Sequence, residues 1–234
     1  MPADPQEEAR VRPVLVAYGV RSDLGTFDFG PPPAGAAGAY FPQRDTFALP
    51  VGAHDQTIIH EGAHAEHYHG AGIVGPAFPQ DRATAIGALI LSEAFVGFRL
   101  TNANGFVPFE RAALPNHAAT AIEVAEAFIL VPGARGPHFV QGNVTTTMLF
   151  MFLQRMLPLV VAETVAGQPI FTAGLSATSI HPQVMGTGTV LLFAVQEVMR
   201  LVGQGPCPAA LTSVANMRAL GTAFLARATA VGLV

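Results

Sequence analysis

Between Asp55 and Gly70 the chain reads DQTIIHEGAHAEHYHG, which sets His60, Glu61 and His64 in the spacing HExxH. That spacing has chemical meaning only on a helix. Residues four apart on an α-helix are separated by roughly 6 Å along the axis and share a face, so both imidazoles can reach one metal ion. Glu61 lies at the edge of that face, placed to take a proton from a water molecule that the ion activates.

The flanking residues agree with a helix over 55–69. Asp55 is suited to cap its N-terminus, Ile58 and Ile59 give it a buried side, and Gly70 can end it. The alternative is a histidine-rich polar face that meets solvent or a partner and does no chemistry.

Two histidines and a water leave one protein ligand to be found, since catalytic zinc takes three. Glu66 and His67 are nearest in sequence. His67 shares the stripe of His60 but stands about 10 Å further along the axis, too far to converge on the same ion. A second helix is a better source. The run 81–99, DRATAIGALILSEAFVGFR, opens on a capping aspartate and is almost wholly apolar, with Glu93 as its one interior carboxylate. Burying that charge among Ile90, Leu91, Ala94, Phe95 and Val96 costs several kcal/mol unless it has a partner. A metal ion would be one.

An HExxH helix followed by a glutamate on a second helix, here in Leu91-Ser92-Glu93-Ala94-Phe95, resembles the gluzincin branch of the zincin metallopeptidases. The resemblance spans about residues 40–100. It implies zinc on His60, His64 and Glu93, with Glu61 as the base that activates water. It also implies a strand beside the substrate cleft, for which the short extended run 46–49 is the candidate.

Composition limits the other possibilities. Half of the 234 residues are hydrophobic, only 12% are charged, lysine is absent and the net charge is −4, so no basic stripe invites nucleic acid. The single Cys207 excludes an internal disulfide and offers no thiolate cluster for zinc. The N-terminal MPADPQEEAR lacks the basic and apolar regions of a signal peptide. The apolar runs 145–162 and 182–203 are broken by Gln154, Arg155 and Pro158, and by Gly186 and Gly188, so neither reads as a membrane span. A cytoplasmic protein is the expectation.

Along the chain, 1–11 reads as a mobile polar tail and 12–234 as a single domain. The β-branched and aromatic run 12–20, RPVLVAYGV, predicts a strand, 30–38 a surface loop, and 40–49 renewed extended structure. Further helices are expected over 118–130, capped by Asn116, and over 144–166, 189–202 and 209–231. The fold class is therefore α+β, mainly helical, with a small N-terminal sheet and an HExxH helix. Met148, Met151 and Met156 read as core filling, Glu123 and Glu126 as a solvated face, and His117, His138, His181 and Arg111 as surface residues near loops or helix starts.

These features support a zinc hydrolase acting on a peptide or small-molecule substrate. The same ligands would also suit the facial triad of a non-haem iron enzyme. A different class is a self-assembling coat or shell subunit, with the histidine-rich helix as an interface; the apolar, weakly charged composition favours buried contacts and a homo-oligomer.

Overall fold

The computed structural model describes residues 4–32, 36–101, 193–194, 196–198, 200–202 and 207–230. These residues form a mainly helical α+β arrangement with one small sheet. The readings placed at 116–130 and 144–166, and on Arg111, His117, Glu123, Glu126, His138, Met148, Met151, Met156 and His181, lie outside them.

The chain opens with helix α1, Pro5–Ala17, where a tail and then a strand were expected. The first turn explains the difference. Asp4 Oδ1 accepts the N–H groups of Gln6 and Glu7, and Pro5 needs no partner for the donor it lacks. Glu7 pairs with Arg10 and Glu8 with Arg12, while Val11 and Leu15, one turn apart, are buried. Local capping outweighs the strand preference of the Val-rich stretch, and Pro13 is accommodated inside the helix.

Strands β1 (Thr26–Phe29), β2 (Ala39–Phe41) and β3 (Thr46–Leu49) follow. The sheet order is β1-β3-β2, with β1 parallel and β2 antiparallel to the central β3. Alternation sends Phe27, Phe29, Tyr40, Phe47 and Leu49 into the core, and the Phe27 and Phe47 rings stack at 4.8 Å. The β2–β3 turn closes through Asp45 at φ 50°, a conformation aspartate tolerates better than most residues.

Helix α2 spans Asp55–Gly70, within a residue of the expected range. Its cap is His54, whose side chain makes no capping hydrogen bond; Asp55 is the first helical residue and contributes negative charge at the helix start instead. Gly70 is the last helical residue, and Gly72, at φ +69°, takes the left-handed position beyond it. Ile58 and Ile59 are buried. After a short 3-10 turn, Gly75–Ala77, helix α3 runs over Arg82–Thr101. Asp81 caps it as the sequence suggests, accepting the Thr84 N–H at 2.8 Å.

The described residues between 193 and 202 are helical. The single helix expected over 209–231 is two: α4, Cys207–Leu211, and α5, Val214–Ala230. Thr212 folds its hydroxyl back to the Pro208 carbonyl, and Ser213 Oγ accepts the Asn216 N–H, which ends one helix and starts the next. Helix α3 packs on both α2 and α5. The approach to α5 is close enough that a Cβ at Gly87 would lie 1.8 Å from the Met217 carbonyl oxygen. Among the described residues no helix is long and apolar enough to cross a membrane.

Candidate metal centre

His60 and His64 occupy successive turns of α2, their rings 5.0 Å apart and steeply inclined. Helix α3 brings Glu93 against them. One nitrogen from each histidine and one carboxylate oxygen of Glu93 all lie within 4.8 Å of one another. Two ligands about 2 Å from a tetrahedral ion stand roughly 3.4 Å apart; His64 Nε2 and Glu93 Oε1 are already at 3.5 Å. The group could hold a metal ion, and small side-chain movements would close it.

The protonation of His64 suits a metal ligand. Burial, followed by the positive charge that His60 and His67 could carry, pushes the pKa of His64 well below the usual histidine range, so its imidazole is neutral. Its approach to Glu93 is therefore no ion pair; it has the character of two ligand groups facing a common point. Glu93 is 7% exposed, Glu61 8% and His64 9%, so an ion here would act in a poorly solvated environment.

Glu61 projects beside the histidines toward β2. Burial raises its carboxyl to about 8, opposed by a backbone hydrogen bond with Tyr40. The chain reaches β2 through Gly38, where a Cβ would meet Thr57 Cγ2 at 2.7 Å, Leu49 Cδ2 at 3.0 Å and Glu61 Cγ at 3.3 Å; glycine lets the backbone pass this close. The strand beside the candidate base is thus β2. The run 46–49, assigned from sequence to the cleft edge, is the central strand β3, flanked on both sides.

Glu66, His67 and His69 of α2 have other partners. Glu66 lies 3.0 Å from Arg99 Nε and accepts the Arg21 N–H. His67 is fully buried and reaches the Leu211 carbonyl at 2.9 Å, with its pKa lowered by burial to about 4. His69 bonds Asp45, which also accepts the Tyr40 hydroxyl. Sequence reasoning excluded His67 from the site by its axial distance but missed the fixed partners of His67 and His69.

It also missed Ser92. Its hydroxyl lies 2.7 Å from His64 Nδ1 and is hydrogen-bonded to Tyr68 as well. The only available signal was its place next to Glu93 on an apolar helix.

The chain shows no match to protein-family models, to curated proteins or to solved structures.

Proposed function

We propose that this chain is a zinc-dependent hydrolase with a zincin-like arrangement of helices and sheet, most simply a metallopeptidase. One observation carries the proposal: potential ligand atoms of His60, His64 and Glu93, from two helices, gather within 4.8 Å. In this reading His60, His64 and Glu93 hold the ion. Bound zinc supplies a Lewis acid that polarises a carbonyl and lowers the pKa of water.

Glu61 performs the proton work. A bound cation would favour its ionised form, in which it would accept the proton of the attacking water and return it to the leaving amine. Its surroundings hold it beside the ligands and away from bulk solvent, and β2 fixes its other flank. A carboxylate next to His60 has no assigned role in an iron facial triad, which is why hydrolysis is preferred over oxygenase chemistry.

The test is hydrolysis of a mixed peptide library by untagged protein after chelation and readdition of one metal at a time. Turnover should vanish with the chelator and return with zinc. Cleavage that persists through complete metal removal would refute the proposal, as would activity restored by ferrous iron and oxygen alone.

A further inference from the structure

His64 has two ring nitrogens, and the neutral ring carries a single proton. Which nitrogen carries it decides whether the side chain can ligate. Ser92 Oγ stands 2.7 Å from Nδ1, while Nε2 faces Glu93 Oε1 at 3.5 Å. Because residues 92 and 93 are consecutive on α3, one turn of that helix addresses both edges of the imidazole. Tyr68, four residues after His64 and on the same face of α2, is a further hydrogen-bond partner of Ser92. Burial keeps Tyr68 a neutral phenol, whose oxygen can accept a proton from Ser92.

Ser92 has one proton to give. If it goes to Tyr68, His64 must donate from Nδ1, and Nε2 keeps its lone pair. If Ser92 instead donated to Nδ1, Nε2 would carry the hydrogen and could not bind a cation.

We propose that Ser92 is the positioning residue of this centre: its hydroxyl accepts the His64 Nδ1–H, fixes the tautomer and aims Nε2 at the point shared with Glu93. The inference rests on the metal-binding reading above and adds the group that prepares one ligand before any ion arrives. Both Ser92 and Tyr68 are almost fully buried, so water does not compete for these bonds.

The test compares wild type, Ser92→Ala and Tyr68→Phe as full-length untagged protein. Two quantities are read: the zinc dissociation constant by competition with a chromophoric chelator, and the His64 tautomer in metal-free protein by long-range 15N–1H NMR. Wild type should show the Nδ1–H form. Ser92→Ala should lose that signature and bind zinc about 10- to 100-fold more weakly, the usual effect of removing such a partner, with a moderately lowered melting temperature because buried polar groups lose a partner. Tyr68→Phe leaves the serine proton without its acceptor, so the Nε2–H form should gain population and zinc binding should weaken by about 10-fold. This second variant decides the matter if Ser92→Ala does not fold. A zinc-binding wild type whose folded variants keep both its tautomer and its affinity would overturn the Ser92 assignment alone. A wild type that binds no zinc would overturn the metal reading and this inference together.

Discussion

Glu61 and His67 are both buried titratable groups on α2, six residues apart, yet their surroundings assign them opposite tasks. Glu61 is raised to about 8 beside the candidate ligands, where a carboxyl can exchange a proton near neutrality. Glu61→Gln keeps its shape and removes its basicity. Metal content should therefore stay near that of the parent while turnover falls by about 10²- to 10⁴-fold; loss of metal and fold together would make the residue structural. His67 is a neutral tie between α2 and the end of α4. Its pKa is about 4 in the native protein against 6.5 for the free side chain, so between those values the unfolded chain takes up a proton that the native one refuses. Its stabilising contribution is complete above pH 6.5 and declines as pH falls toward 4, by about 3 kcal/mol in all. His67→Gln can still donate to the Leu211 carbonyl and cannot be protonated. Urea midpoints measured from pH 4 to 7 should vary less for this variant, with the slope due to His64 remaining; identical profiles would count against the assignment.

At the level of elements, α2 and α3 were legible because the buried isoleucines of α2, the Asp81 cap of α3 and a lone carboxylate in an apolar run all pointed the same way, although the cap of α2 proved to be His54 and not Asp55. Asp81 caps α3, Ile58 and Ile59 are buried, and Glu93 meets the two histidines. Helix α1 was misread because a β-branched run resembles a strand when the Asp4 cap and the two Glu–Arg pairs upstream are overlooked. Ser92 and the Leu211 partner of His67 were out of reach, since each depends on how separate elements dock. The α3–α5 crossing is another such contact. A Cβ at Gly221 would lie 1.7 Å from the Ala83 carbonyl oxygen, and one at Gly87 meets the α5 backbone. Alanine is the better helix former by about 1 kcal/mol, yet Gly87→Ala should destabilise the protein by about 3 kcal/mol, because backbone must move to admit the methyl. Denaturant unfolding checks this directly, and a variant as stable as the parent would show the crossing to be looser. Because α3 also carries Glu93, zinc affinity should fall with it.

For the whole molecule, an ion bound only by the folded chain adds to stability in proportion to the logarithm of its free concentration. The melting temperature should rise with zinc and return on chelation, and the rise should be absent in His60→Ala. A shell or coat subunit would behave differently, forming a large assembly with no stoichiometric metal. The most direct test of the centre is the zinc content of untagged, dialysed protein, measured with its solution mass for wild type, His64→Ala and Glu93→Gln. Wild type should hold about one zinc per chain, and both variants should lose it while remaining folded, Glu93→Gln being at least as stable as the metal-free parent because an amide is less costly to bury than a carboxyl without its cation. A folded wild type that retains no zinc, or a Glu93→Gln protein that retains it fully, would contradict the metal centre built on His60, His64 and Glu93.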